Sequence, residues 1–275
     1  KRLLYIAVML GFPITPVQGQ IDSANVWVST ALAGGPHTIQ TIVVDPERSD
    51  TVYTGTVPGS IYQSLNRSLT WTQMPAALGT IAEGVFSITF NPLNANVVYA
   101  GGDMSGLFRS TDRGASWTQT SLAIPPLVTF GTNKIVIDAS DTSRIYAGTS
   151  AGLWISDDDG GTWMTTTAID TINGISIGAL VVIPQTPDTV LAASTGSAGV
   201  FRSLDRAGSW APANNGLTDT DVTGMVVSPA VTGLIVVSTD GGGVFRSTDS
   251  GGSWTAANTG IGNLGLASVA ISPSN

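Results

Sequence analysis

The chain has 275 residues, with 11 basic and 19 acidic side chains, a formal net charge of −8 and no cysteine. This balance argues against nucleic acid or an anionic membrane as a partner, and the lack of cysteine excludes a disulfide framework and any thiolate metal site. The composition combines 42% hydrophobic residues with 33 glycines and 14 prolines and shows no long stretch of helix-like charge pairing, which favours an all-β protein rich in turns.

Residues 1–19 are typical of a secretory signal peptide. Two basic residues precede an apolar run from Leu3 to Phe12, and Val17 and Gly19 occupy the −3 and −1 positions of a cleavage site before Gln20. The alternative, a membrane anchor, needs a longer run, because the hydrocarbon core is about 30 Å thick. We therefore expect a secreted, periplasmic or cell-surface protein, with no membrane insertion after the signal is removed.

The remaining residues, 20–275, contain a repeat. FRSTDRGASW recurs as FRSTDSGGSW, and weaker copies read SLNRSLTW, SDDDGGTW and SLDRAGSW. We call this string the box. Its terminal tryptophans are spaced by 46, 46, 47 and 44 residues, and such a fixed period indicates a repeat architecture. The five tryptophans are Trp71, Trp117, Trp163, Trp210 and Trp254.

Each period predicts four short strands, which we call a to d. Three apolar runs precede the box, and a fourth begins at its tryptophan. Four strands per period of about 45 residues, joined by tight polar turns, are typical of a β-propeller blade. The sequence predicts an all-β propeller of four-stranded antiparallel blades, with full blades at about 38–74, 84–120, 131–166, 178–212 and 222–257. Residues 26–30 and 266–275 are predicted to be parts of an incomplete sixth blade in a chain that is a fragment of a longer protein.

The box is predicted to build the c–d turn. Its glycine permits a positive φ, its aspartate and serine side chains hydrogen-bond within the turn, and its tryptophan packs between sheets. Because a catalytic residue is not needed five times over, we interpret the box as structural. Its predicted residues are Ser64, Asn66, Trp71, Ser110, Asp112, Trp117, Ser156, Asp158, Trp163, Ser203, Asp205, Trp210, Ser247, Asp249 and Trp254.

The pattern S-x-D-x-G-x-[ST]-W resembles the Asp-box, or BNR, repeat. That repeat is found in sialidases, xyloglucan-cleaving glycosidases, sortilin-type receptors and photosystem II assembly factors. The resemblance covers roughly Asp22 to the end of the chain and implies a β-propeller. It leaves the function open, because these families share the turn and not the chemistry.

Propeller ligands usually bind at the face formed by the d–a and b–c loops, opposite the box. We call this the ligand face. The residues that fall in these loops make it acidic, which suits contact with a protein or a weakly held cation. The candidates are Glu83, Asp103, Phe130, Asp170, Asp219, Asp221 and Asp240.

Two catalytic readings follow from the resemblance. A sialidase site requires an arginine triad to hold a carboxylate, and no arginine falls in the ligand-face loops. The segment YAGGDMSGLFRS resembles the catalytic segment of xyloglucanases and places Asp103 on their catalytic aspartate, while Asp240 holds the same repeat position. Two carboxylates can serve as acid and base. However, Gly101 and Gly102 replace the Arg-Thr of those enzymes, and aromatic platforms for sugar are scarce.

Two further sites are weaker still. His37, the only histidine, has no visible base or metal partner in the sequence and is interpreted as a loop residue. Asp157, Asp158 and Asp159 could attract Ca²⁺, but we interpret them as residues of a solvated turn. We therefore predict no cofactor and no resident metal. The favoured function is a non-catalytic scaffold that binds a protein, with polysaccharide as a possible partner, and the alternative is a xyloglucanase-like glycoside hydrolase that uses Asp103 and possibly Asp240.

Overall fold

The computed structural model describes residues 19–21, 27–29, 32, 37–74, 84–102, 106–120, 131–165, 172 and 174–272. Their regular secondary structure is β-strand, arranged in five four-stranded antiparallel sheets and one two-stranded sheet. In each four-stranded sheet the strands are neighbours in chain order. The prediction of an all-β propeller with five full, four-stranded antiparallel blades is confirmed.

The chain divides into two compact units, residues 1–132 and 133–275. The first contains blades 1 and 2. Blade 1 comprises β3 (Thr38–Val44), β4 (Val52–Val57), β5 (Ile61–Ser64) and β6 (Thr72–Gln73), and blade 2 comprises β7 (Val85–Asn91), β8 (Asn94–Gly102), β9 (Gly106–Ser110) and β10 (Thr118–Gln119).

The second unit contains blades 4 and 5 and all of blade 3 except its first residue. Blade 3 comprises β11 (Thr132–Ile137), β12 (Ile145–Thr149), β13 (Gly152–Ser156) and β14 (Met164–Thr165). Blade 4 comprises β15 (Ile177–Val182), β16 (Val190–Ser194), β17 (Val200–Ser203) and β18 (Ala211–Pro212). Blade 5 comprises β19 (Val222–Val227), β20 (Ile235–Thr239), β21 (Gly243–Ser247) and β22 (Thr255–Ala256).

Strand b is largely buried in all five blades. In β12 and β16 all five residues are buried. Their sequences are therefore continuous runs of apolar and small residues, without the alternation of apolar and polar residues that a half-exposed strand shows. Glycine recurs where the next blade approaches closely. A Cβ on Gly55 would lie 2.6 Å from the carbonyl oxygen of Val85, and one on Gly148 would lie 2.7 Å from Cγ2 of Ile177.

In the described part of the chain, three hydrophobic cores lie between blades, and a fourth lies in blade 1 around Tyr62 and Trp71. One joins blades 1 and 2 around Tyr53, Phe90 and Phe108. In the second unit, one core joins blades 3 and 4 around Tyr146 and Phe201, and another joins blades 4 and 5. Each blade is therefore stabilised by its neighbour, since a single four-stranded sheet leaves both of its apolar faces uncovered.

The predicted incomplete sixth blade is not formed by the described residues. Residues 266–272 contain no strand, and among the described strands β2 (Trp27–Ser29) pairs with β1 (Gly19–Ile21). The backbone of Leu266 instead bonds to blade 5: its N–H donates to the Thr239 carbonyl at 3.0 Å, and its carbonyl accepts from the Thr223 hydroxyl at 2.6 Å. A strand needs a partner for its backbone groups, and the described part of the chain supplies no strand b beside residues 266–272.

Among the described residues there is no helix of sufficient length and apolarity to cross a membrane. The proposed signal peptide lies almost entirely outside the described residues.

Candidate functional site

The box forms a closed set of hydrogen bonds, which blade 5 illustrates. The Ser247 hydroxyl donates to Oδ1 of Asp249 at 2.7 Å and accepts the N–H of Gly251 at 2.8 Å. The same Oδ1 accepts the N–H of Ser253 at 2.9 Å, and Oδ2 accepts its hydroxyl at 2.7 Å. Both ends of the turn are thereby tied to one carboxylate and one hydroxyl.

The other boxes repeat these bonds with their own residues. Ser110, Ser156 and Ser203 donate to Asp112, Asp158 and Asp205 at 2.7, 2.8 and 2.8 Å. In blade 1, Asn66 replaces the aspartate: its Oδ1 accepts from Ser64 at 3.0 Å, and its Nδ2 donates to the Thr70 hydroxyl at 2.8 Å. An amide therefore preserves the pattern.

These hydrogen bonds favour the ionised carboxylate. The pKa of Asp249 is lowered to about 2, mainly by the Ser253 hydroxyl and against the opposing effect of burial. The pKa of Asp112 and of Asp205 is lowered chiefly by the hydroxyls of Ser116 and Ser209, and that of Asp158 chiefly by the backbone N–H of Thr162. The ionised form of all four carboxylates is thus favoured by the hydrogen bonds that it accepts within the turn.

The box turn places two consecutive residues at positive φ, not the single glycine that the sequence predicted. In blade 2 these are Arg113 at φ 60° and Gly114 at φ 86°. In blades 1 and 4 the second position is not glycine, and Ser68 and Ala207 adopt φ values of 69° and 70°.

The box tryptophans pack against the preceding blade. Trp117 packs on the core between blades 1 and 2, Trp210 on that between blades 3 and 4, and Trp254 belongs to the core between blades 4 and 5. The Trp254 indole also donates to the Ala213 carbonyl at 2.8 Å. The box therefore contributes to packing between blades as well as to its own turn.

A box arginine clasps the preceding blade at two interfaces. Arg113 of blade 2 bonds to Asp45 and Glu47 in the a–b turn of blade 1. Arg206 of blade 4 bonds to Asp138 and Asp141 in the a–b turn of blade 3, both at 3.1 Å. We call this contact the arginine clasp. The side chains of Asp45 and Asp138 are fully buried.

On the ligand face, the structure brings three predicted aspartates together in blade 5. The Asp219 carboxylate accepts N–H groups of Asp221 at 3.0 Å, Gly241 at 2.8 Å and Gly242 at 2.7 Å. The N–H of Asp240 donates to the Asp221 carbonyl at 3.0 Å. Asp219 thus braces the b–c loop against the loop that precedes blade 5, and these bonds lower its pKa, the N–H of Asp221 most strongly.

The side chain of Asp240 is exposed, and that of Asp221 is half-buried. The other predicted ligand-face residues, Glu83, Asp103, Phe130 and Asp170, lie outside the described residues. Of the two carboxylates in the hydrolase hypothesis, the structure therefore describes Asp240 but not Asp103.

Two ligand-face asparagines were missed by the sequence reading. Oδ1 of Asn214 accepts the N–H of Val200, and Oδ1 of Asn258 accepts the N–H of Val244, both at 2.7 Å. Each asparagine follows its box tryptophan by four residues and caps the start of strand c. The repeated Ala-Asn-x-Gly after Trp210 and Trp254 is the signal that points to them.

The remaining candidates have structural partners. Nε2 of His37 lies 2.9 Å from the Tyr62 hydroxyl, and the two rings meet edge-on. Asp157 pairs with Arg144 at 2.6 Å, whereas Asp158 belongs to the box. The described part of the chain contains no cluster of three or more histidine or acidic side chains able to hold a metal ion.

Comparisons with solved structures show the fold. The Niastella koreensis GH74 enzyme matches with a TM-score of 0.66 and 21% identity over 79% of this chain, and the GH74 xyloglucanase from Xanthomonas campestris with 0.64 and 19% over 86%. YCF48 bound to D1 peptide matches with a TM-score of 0.58 and 16% identity over 82% of this chain. The chain spans 38% and 42% of the two GH74 proteins and 71% of YCF48. No protein-family model and no curated protein sequence matches this chain.

Proposed function

We propose that this chain is an exported, non-catalytic β-propeller scaffold whose ligand face binds another protein. The observation that carries the proposal is the use of Asp219. Its carboxylate accepts three backbone N–H groups and holds two loops together, which builds a shaped surface on this face. Export rests on the signal-like residues 1–19.

The protein partner agrees with one of the structural neighbours. YCF48 has been captured with a D1 peptide, so a propeller of this kind can bind a polypeptide. The ligand-face carboxylates Asp221 and Asp240 give the surface of this chain an acidic character suited to a basic or polar partner.

Glycoside hydrolysis is the second candidate. It is favoured by the GH74 neighbours and by the exposed Asp240, which holds the same repeat position as Asp103. Polysaccharide binding at the ligand face would follow from that reading.

Site-specific photo-crosslinking in the source cells tests the protein-binding proposal. A benzoylphenylalanine at position 240 should yield discrete crosslinked protein species. The same group in place of Leu65, which is 66% exposed in the box turn of blade 1, should yield fewer, because that turn lies at the other end of strand c. Equal patterns at both positions, or none at position 240, would contradict the proposal.

A further inference from the structure

Residues 266–271, which we call the docked segment, follow blade 5 and match the sequence register of strand a. In blade 4, strand a begins at Ile177, and Pro184 follows that residue by seven positions. Pro273 follows Leu266 by the same interval. Leu266 therefore corresponds to the first residue of a strand a.

The docked segment also contacts blade 5 in the way that strand a contacts the blade before it. The carbonyl of Ile177, the first residue of strand a in blade 4, accepts a hydrogen bond at 3.1 Å from Nδ2 of Asn133. The carbonyl of Leu266 accepts one at 2.6 Å from the hydroxyl of Thr223. Asn133 and Thr223 are both the second residue of strand a in their own blades. Leu266 thus occupies the position that the strand a of a following blade takes.

Further along, the docked segment passes closely over strand a of blade 5. A Cβ on Gly224, the third residue of β19, would lie 3.3 Å from Cα of Ser268 and 3.3 Å from the backbone nitrogen of Val269. A similarly close approach, between Gly148 and Ile177, occurs where blade 4 packs on blade 3. The docked segment therefore packs on blade 5 at the spacing of neighbouring blades.

The docked segment differs from the other strands a in its pairing. In all five described blades strand a is hydrogen-bonded to strand b, whereas no described strand pairs with the docked segment. Its apolar side chains are correspondingly less buried. Leu266, Val269 and Ile271 are half-buried. The side chains at the equivalent positions of blade 4 are buried, namely Ile177, Leu180 and Val182.

We propose that the docked segment pairs with an extended segment of a partner protein, which takes the place of a strand b. This inference rests on the proposed protein-binding function and adds a second contact site to it. Main-chain hydrogen bonds supply the affinity of such strand addition, and alternate side chains supply its specificity. Pairing converts the docked segment into a strand.

The repeat also specifies the chemistry of the added strand. The fully buried strands b have the sequences IYAGT in β12 and VLAAS in β16. Two apolar residues, two small residues and a final hydroxyl residue therefore fit beside a strand a. A second copy of this chain is a poor source of this strand, because each strand b of the described blades is already paired on both edges.

Hydrogen–deuterium exchange measured by mass spectrometry tests this with a synthetic peptide as the probe. The peptide has the sequence of residues 143–151, SRIYAGTSA, which includes the whole of β12. At saturating peptide, exchange in the docked segment should slow at least about tenfold, because pairing protects backbone N–H groups. The outermost strand of blade 5, β22, is the internal control and should not change.

A second peptide controls for non-specific association. It carries prolines in place of Tyr146 and Ala147. Neighbouring residues of an antiparallel strand direct their N–H groups to opposite edges, so this peptide loses one donor on each edge. It should leave exchange in the docked segment unchanged.

Two substitutions at Thr223 form a matched pair. Thr223→Val removes the hydroxyl that bonds to the Leu266 carbonyl and should weaken binding of the first peptide about fivefold, the effect of one neutral hydrogen bond. Thr223→Ser keeps the hydroxyl and should bind the peptide as the wild type does. A valine variant with wild-type affinity would contradict the role of the docked segment.

The inference is overturned by unchanged exchange in the docked segment, by equal slowing with the proline peptide, or by equal slowing at β22. Slowing that increases with protein concentration in the absence of peptide would assign the docked segment to a second copy and would also overturn it. Crosslinking at position 240 in cells is a separate measurement. Discrete crosslinks there without peptide binding refute only this inference, and peptide binding without crosslinks refutes only the proposal for the ligand face.

Discussion

At the scale of single residues, two side chains of the box form most of the hydrogen bonds that hold its turn. In blade 5, one serine hydroxyl and one carboxylate account for five hydrogen bonds, including those to the N–H groups of Asp249, Gly251 and Ser253. Each bond contributes about 1 kcal/mol net, and the turn recurs in every blade. These hydrogen bonds all lie within one turn, so single substitutions in the box can test what they contribute to stability.

Replacing Asp249 by asparagine should lower the free energy of unfolding by about 1 kcal/mol at pH 7, since a charged acceptor is exchanged for a neutral one. The folded pKa of Asp249, about 2, lies below its ordinary value of 3.8. The stabilisation is therefore present above pH 4 and is lost as the pH falls towards 2. Urea unfolding of the wild type and of Asp249→Asn should show that their difference in free energy of unfolding becomes smaller from pH 7 to pH 2.5.

Asn66→Asp is the matched control for the charge. It introduces the carboxylate into blade 1, where asparagine already preserves the bonds, and should raise stability at pH 7 but not at pH 2.5. A stability difference for Asp249→Asn that does not change with pH would contradict the assignment.

Ser68→Gly should stabilise the protein by about 0.5–1 kcal/mol. Relief of the left-handed conformation at φ 69° gains about 1–2 kcal/mol, and the added freedom of glycine in the unfolded chain costs about 0.5–1 kcal/mol. The hydrogen bond from its backbone N–H to Ser64 remains. Thermal denaturation gives the measurement.

Gly114→Ala is the reverse substitution at the same box position. A Cβ there would sit at φ 86° and 3.1 Å from Cζ2 of Trp117, so this variant should be destabilised. A Ser68→Gly protein that melts below the wild type would show that the turn is not strained by serine.

At the scale of elements, the arginine clasp joins one blade to the next. Arg113 is 12% exposed and Asp45 is fully buried, while the N–H groups of Glu47 and Arg48 also bond to Asp45. The clasp thus fixes the a–b turn of blade 1 through the box of blade 2. Arg67, at the same box position in blade 1, forms an exposed pair with Asp50.

Arg113→Ala should lower the free energy of unfolding by about 3 kcal/mol, the lower end of the range for leaving a buried charge unpaired, because the two N–H groups still satisfy part of Asp45. Arg67→Ala, the matched control, should cost less than about 1 kcal/mol. Chemical denaturation of both variants measures the contrast. Equal losses would mean that burial of the clasp has no energetic consequence.

The elements also show what could be predicted from sequence. The blades were predictable, because the tryptophan period and the apolar runs report local strand and turn preferences. The clasp was not, because Arg113 and Asp45 are 68 residues apart and neither belongs to a pattern that pairs them.

Residues 266–275 match strand a in sequence, yet residues 266–272 are not a strand, since pairing depends on a neighbour and not on propensity. On the ligand face, the sequence reading placed Asp219 correctly in a loop. Its role depends on the approach of Gly241 and Gly242, more than twenty residues away.

At the scale of the whole molecule, the distinctive polar side chains of the repeat serve to hold turns and to join blades. Box aspartates, clasp arginines and the capping asparagines all have structural partners in the described blades. The same holds for Asp219 on the ligand face. This structural use of the polar side chains agrees with the proposed scaffold function.

The most direct test of this account is an assay of the purified protein on xyloglucan, with a known xyloglucanase as the positive control and Asp103→Asn in parallel. The account predicts no release of reducing sugar above the blank from either the wild type or the variant. Turnover by the wild type that disappears in Asp103→Asn would contradict the scaffold function and establish the hydrolase in its place.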